Sequence, residues 1–122
     1  MEYSDVLAGH PQPLVNIMNW LRTIILNSHP QLAEAVGGGA TVKMTLYSIG
    51  PKTNVAAVLG IGKDHVKLFL HHTNKVDARG MKLEGKGKHA KHIKVRSLHE
   101  QQETLQAVIA DVVAIVAART HA

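Results

Sequence analysis

The residues best suited to chemistry lie in one basic, glycine-containing segment, residues 83–96, with the sequence LEGKGKHAKHIKVR. Glycines at 85 and 87 would let backbone N–H groups approach an anion closely, and the neighbouring side chains would supply positive charge. The sequence therefore predicts an anion-binding loop, and the alternative is a solvated hairpin loop with solubilising lysines. The predicted anion-binding residues are Gly85, Lys86, Gly87, Lys88, His89, Lys91 and His92 in this segment, with Lys67 and Lys94 on neighbouring strands.

This segment does not predict nucleotide hydrolysis. Residues 80–86 match the first seven positions of a P-loop, but Gly87 stands where a magnesium-binding Ser or Thr would be needed. A strand, and not the required helix, is predicted to follow. The carboxylates and serines elsewhere have ordinary roles at turns and helix starts, so we expect a protein that is not an enzyme and needs no cofactor.

Histidines offer an alternative, a metal site built from His71, His89 and His92. Imidazole suits zinc, nickel, copper or iron, but a stable site needs about three or four convergent ligands. Few acidic residues lie near these histidines, and the positive surroundings oppose a cation. No metal site is therefore the favoured prediction, and the histidine set is its alternative.

Composition sets wider bounds on function. The 122 residues suit one domain, 1–122, and the chain has no cysteine, which excludes disulfides and thiolate metal sites. Residues 41–96 contain 12 lysine and arginine residues against three acidic ones, although the whole chain has a net charge of only +5. No signal peptide or membrane span is predicted, so we expect a cytoplasmic protein without a membrane partner.

Periodicity predicts the elements that position these residues. Apolar residues at helical spacing predict helices over 13–27 and 98–119, the second with a capping box formed by Ser97 and Glu100. A short helix is predicted over 30–36. Alternating residues predict strands around 42–47, 55–61, 66–70 and 93–95, and residues 73–90 are predicted to form a loop with a turn near 77–80.

The order of these elements predicts an α+β fold in two layers. An antiparallel sheet of about four to six strands carries the N- and C-terminal helices packed on one face. The opposite face is predicted from alternation to be basic, with Tyr47 and Phe69 exposed for base stacking or for a homodimer contact. Its predicted members are Lys43, Thr45, Tyr47, His65, Lys67, Phe69, His71, His92, Lys94 and Arg96.

Several of these segments resemble the YdhG-like family of small bacterial domains. The resemblance is carried by His65-Val-Lys-Leu68, by residues 83–88, by His92-Ile-Lys-Val-Arg96, by Trp20-Leu-Arg22 and by Glu34-Ala-Val36 before a glycine turn. It implies a cytoplasmic α+β domain with a frataxin-like layout, and some members are described as iron chaperones. Frataxin-type iron binding uses acidic residues on the first helix and first strand, whereas residues 11–28 and 41–48 contain none.

The sequence thus predicts a small non-enzymatic binding domain that recognises an anionic ligand or nucleic acid through a basic sheet face and the glycine-lysine loop. The alternative function is a frataxin-like intracellular iron chaperone.

Overall fold

A five-stranded antiparallel sheet carries the helices of this protein on one of its faces. The structure, a computed structural model, describes residues 1–39 and 42–120. The strands follow one another in chain order across the sheet, as a meander. The elements are α1 (Tyr3–Leu7), α2 (Gln12–Ser28), β1 (Ala33–Gly38), β2 (Lys43–Ser48), β3 (Val55–Ile61), β4 (Val66–His71), a 3₁₀ turn (Thr73–Lys75), β5 (Ala90–Val95) and α3 (Gln102–Arg119). The predicted α+β fold class is confirmed.

Helix α2 confirms the helix predicted over 13–27. Its apolar residues recur at helical spacing, so they form one buried stripe. A proline in its first turn costs no hydrogen bond, because the N–H groups there have no partner within the helix. The buried stripe consists of Leu14, Ile17, Met18, Leu21 and Ile25.

Helix α3 begins at Gln102 and not at Leu98, so the predicted capping role of Ser97 is wrong. The Ser97 hydroxyl does donate to Glu100 Oε1 over 3.2 Å, but this bond closes a separate turn before the helix. The chain then passes through Gln101 in a left-handed conformation, with φ of 49°, which prevents one continuous helix.

Residues 30–36 were predicted to be a short helix, and this prediction is wrong. Ala33–Gly38 form β1, the edge strand, which pairs antiparallel with β2. Alanine and glutamate favour a helix locally, but pairing with β2 satisfies one row of backbone hydrogen-bonding groups, and propensity is too weak to compete with it. The extra strand brings the sheet to five, within the predicted range.

The predicted orientation of β2 is also wrong, by one residue. Thr45 and Tyr47 point toward the helices and are fully buried, whereas Met44 and Leu46 point to the opposite face. Lys43 shares the parity of Thr45, so it too is lost from the predicted basic face. A shift of one residue exchanges the two faces of a strand, and β2 carries residues that can be buried on either side.

The other strands have the predicted orientation. Leu68 and Leu70 of β4 are fully buried, and they belong to the same core cluster as Ile93 and Val95 of β5. Leu21 and Ile25 of α2 join that cluster together with Ile109 and Val112 of α3. Both long helices contact β3 and β4, which confirms the prediction that they pack on one face of the sheet.

None of the helices in residues 1–39 and 42–120 is long and apolar enough to span a bilayer.

Candidate nucleic-acid interface

The sheet face turned away from the helices, here called the outer face, carries a strip of basic and aromatic side chains. Antiparallel pairing places Lys67 opposite Lys94 and Phe69 opposite His92, so each pair projects from the same face. We call the following set the basic strip: His65, Lys67, Phe69 and His71 of β4 and its preceding turn, with His92 and Lys94 of β5.

Lys67 and Lys94 form a like-charge pair at the centre of the basic strip. Directly opposed like charges on a sheet are destabilising, because their ammonium groups repel each other. Glu84 offsets part of this repulsion, since its Oε1 lies 3.7 Å from Lys94 Nζ. Within the described residues no carboxylate lies within ion-pair distance of Lys67. Lys67 therefore remains available to an external anion.

Phe69 and His92 form a pair of rings beside the two lysines. Their ring centroids are 5.1 Å apart and their planes are inclined by 49°. Burial lowers the pKa of His92, and the nearby positive charge of Lys67 lowers it further. His92 is therefore largely neutral near pH 7, where it acts as a flat aromatic surface, and it gains charge only under more acidic conditions.

His65 lies at one end of the basic strip and is almost completely buried. Its Nδ1 is 2.6 Å from Asp64 Oδ1, and Asp64 itself is exposed. In the part of the chain that the structure describes, His65 Nε2 has no hydrogen-bond partner. Arg96, the first residue after β5, is exposed and adds a further cation near this end.

The predicted anion-binding loop is a hairpin at the edge of β5. Backbone hydrogen bonds in both directions between Glu84 and His92, each 2.8 Å, close this hairpin. Gly85 has φ of 118°, a conformation that favours glycine, and a Cβ on Gly87 would lie 2.7 Å from the carbonyl oxygen of Ala90. The two glycines are thus explained by the geometry of the loop.

The charged residues of this loop are separated by the structure. Lys86, Lys88 and His89 are exposed on the hairpin, next to the basic strip. Lys91 lies opposite Leu70 on the helix-facing side of the sheet, and its Nζ donates to the Gly85 carbonyl oxygen over 3.1 Å. Lys91 therefore holds the loop together and is set apart from the outer face.

Tyr47 does not belong to the interface, which corrects its predicted role as a stacking residue. Its ring is fully buried, and its hydroxyl donates to Glu34 Oε2 over 2.8 Å. The outer face beside Phe69 is apolar instead, because Met44, Leu46 and Val58 project there.

Sequence reasoning missed the charged cluster that buries Tyr47. Arg22 makes two 2.8 Å hydrogen bonds to Glu34, and its guanidinium lies 3.9 Å from the centroid of the Tyr3 ring. Burial favours a raised pKa for Glu34, but the hydrogen bonds from Arg22 and Tyr47 outweigh it and lower the pKa overall. The only signal was Glu34 itself, an acid in a segment that does not reveal its strand character.

The histidines of the alternative metal site are not brought together. Across residues 1–39 and 42–120, no three histidine or carboxylate side chains converge in a way that could hold a metal ion. His71 lies opposite Ala90, whereas His92 lies opposite Phe69, two positions further along the strand. Burial lowers the pKa of His71, which is consistent with a neutral side chain packed against the sheet.

Comparisons of the chain with protein-family models, with curated proteins and with solved structures found no match. The resemblance to the YdhG-like family and its iron chaperones therefore stays a prediction.

Proposed function

We propose that this protein binds single-stranded nucleic acid across the outer face of its sheet. The observation that carries the proposal is the juxtaposition of the Phe69–His92 ring pair with the Lys67–Lys94 pair on one sheet surface. Single-stranded nucleic acids are bound by this combination, because rings stack on bases and cations neutralise the phosphates between them.

The charge balance of the basic strip supports an anionic partner. Lys67, Lys94 and Arg96 stand against Glu84 and Asp64, and Asp64 already interacts with His65. A phosphate between Lys67 and Lys94 would replace their mutual repulsion with two attractions. Lys86 and Lys88 extend the positive surface along the hairpin loop.

The aromatic component supports a nucleic acid over a simple polyanion. Phe69 is only partly buried, and the Phe69–His92 ring pair has no polar chemistry of its own to offer an inorganic anion. Stacking of one base on an aromatic side chain contributes about 1–3 kcal/mol. A polyphosphate would use the lysines alone and would gain nothing from the rings.

The proposal is tested by fluorescence anisotropy with a labelled 12-nucleotide oligouridine RNA. Binding should weaken steeply as salt rises, because neutralising phosphates releases counterions. The double variant Lys67→Ala/Lys94→Ala should weaken binding and flatten the salt dependence by the equivalent of about two phosphate contacts, roughly 0.7 in logarithmic slope for each. Phe69→Ala should weaken RNA by about five-fold or more and leave polyphosphate unchanged.

A matched control removes the same amount of charge elsewhere. Lys52 and Lys75 are exposed residues of loops, outside the basic strip, so Lys52→Ala/Lys75→Ala should have a much smaller effect. If both double variants reduce binding equally, attraction is set by net charge and the proposed interface is wrong. If the unmodified protein does not bind RNA at low salt, the function itself is wrong.

The apolar half of the outer face favours a second candidate, a contact between two copies of the chain. Leu46 and Val58 project there beside Val42, which is 59% exposed. An apolar patch of this kind is typical of protein interfaces. Sedimentation velocity over a range of concentrations tests it, because a dimer through this patch should dissociate on Val42→Lys substitution.

A further inference from the structure

A groove on the outer face lies beside the basic strip. It has a volume of about 280 Å³ and extends from Phe69 and Val58 past Gly60 toward the turn that joins β3 and β4. Small-molecule sites in proteins usually have volumes of about 300–1,000 Å³, so this groove has the size for one small planar group. Its sides are partly apolar and partly basic, since Met44 and Lys67 both line it.

Gly60 leaves the floor of this groove without a side chain. It lies opposite Met44 on β2 and opposite Lys67 on β4, so all three positions share the outer face. Neighbouring strands are about 4.8 Å apart, so Met44 and Lys67 define a slot roughly 10 Å wide with backbone at its base. We call this space the Gly60 slot.

The backbone does not require glycine at this position. Gly60 is absent from the residues with positive φ, and a Cβ built on it would meet no atom within 4 Å. Glycine in the interior of a strand lowers stability, and where no conformational need exists it often marks the close approach of another group. The consequence of Gly60 here is open space next to Phe69.

The neighbouring residues suit a ring that carries a negative charge. Val58 and Phe69 provide apolar and aromatic contact, and the thioether of Met44 can pack favourably against an aromatic ring. Lys67 lies on one side, and Lys43 and His10 also line the groove. A nucleotide unit has this chemistry, a flat base next to a phosphate.

We propose that the Gly60 slot holds one base of the bound strand, with its phosphate next to Lys67. This inference rests on the proposed function and adds to it a defined base subsite. The subsite extends the basic strip across β3 toward β2, so base recognition and phosphate binding occupy adjacent strands.

The test is the variant Gly60→Val, which fills the slot. Valine suits a strand, and the position is free of backbone strain, so the melting temperature should stay the same or rise. Binding is measured for 12-nucleotide oligouridine RNA and for an abasic sugar-phosphate chain of the same length and charge. Gly60→Val should weaken RNA binding at least about five-fold, the loss of one stacked base, and leave binding of the abasic chain unchanged.

Ala33→Val provides the matched control. Ala33 is an exposed residue at the start of β1, so enlarging it adds apolar volume to the sheet outside the groove. It should not change RNA binding. Gly60→Ala, a smaller addition, should give an intermediate loss and serves if the valine variant folds poorly.

The outcomes separate the slot from the proposed function. RNA binding to Gly60→Val at unchanged affinity would overturn the base subsite and leave the nucleic-acid function standing. An equal loss for RNA and for the abasic chain would also overturn it, because the effect would not concern a base. Failure of the unmodified protein to bind either chain at low salt would overturn both.

Discussion

Replacing Tyr47 with phenylalanine tests the orientation of β2 and the charged cluster beneath it. The ring of Tyr47 is fully buried, and its hydroxyl donates to Glu34 Oε2 over 2.8 Å. Phenylalanine keeps the apolar ring in place and removes only this bond. A hydrogen bond to a charged group contributes about 1.5–3 kcal/mol, so Tyr47→Phe should lower the free energy of unfolding by that amount.

Urea denaturation followed by circular dichroism gives this quantity directly. Tyr3→Phe is the matched control, because the Tyr3 hydroxyl donates to the exposed Asn19 side chain over 2.6 Å. That bond is between neutral groups, so its loss should cost only about 0.5–1.5 kcal/mol. A loss below about 0.5 kcal/mol for Tyr47→Phe would mean that Tyr47 faces solvent, and the buried orientation of β2 would be refuted.

The same experiment has a pH dependence of known sign. The pKa of Glu34 is lowered in the folded protein, because hydrogen bonds from Arg22 and Tyr47 outweigh the effect of burial. The stability contributed by the ionised carboxylate is therefore fully present above the usual glutamate pKa and is lost as the pH falls through the lowered value. The difference between Tyr47→Phe and the unmodified protein should shrink over that acidic range, because a protonated Glu34 accepts a weaker bond.

Three further predictions concern the core, the hairpin loop and the basic strip. Leu68 is fully buried between the helices and the sheet, so Leu68→Ala should cost about 2–5 kcal/mol in chemical denaturation. Gly87→Ala should cost about 1–3 kcal/mol, because the new Cβ would meet the Ala90 carbonyl oxygen at 2.7 Å, and an unchanged melting temperature would contradict the loop geometry. RNA affinity measured by anisotropy should rise as the pH falls below about 6.5, because burial and Lys67 lower the pKa of His92 and protonation adds charge beside the phosphates. His92→Gln should reduce that rise, and a rise of the same size in the variant would assign it to other groups.

The sequence predicted the elements that are specified by local pattern. Helix α2 has a clean apolar stripe, and β4 alternates between buried leucines and the outward residues Lys67 and Phe69. Such periodicity marks which side of an element must be buried, so the outer face of β4 and β5 was placed correctly. Half of the proposed interface therefore followed from alternation alone.

The errors arose where a distant partner decides the outcome. β1 becomes a strand only by pairing with β2, and its alanines and Glu34 carry no strand signal of their own. In β2, Met44 and Leu46 are as apolar as a core requires, so alternation alone favoured the wrong face. Burial of Tyr47 depends on Glu34 on the neighbouring strand, a contact that no local pattern reveals.

The Gly60 slot could not have been predicted for the same reason. Its walls come from β2 and β4, and the groove exists only once Met44 faces outward. With β2 in the predicted orientation, Gly60 would have been an ordinary glycine in a strand.

The most direct test of the nucleic-acid interface is a map of amide chemical-shift changes in the ¹⁵N-labelled protein during titration with 12-nucleotide oligouridine RNA. The account predicts that the largest changes occur in β4 and β5 around Lys67, Phe69, His92 and Lys94, with smaller changes near Gly60 and almost none along α3. Changes concentrated on the helical layer, or no change at low salt, would contradict the proposed interface.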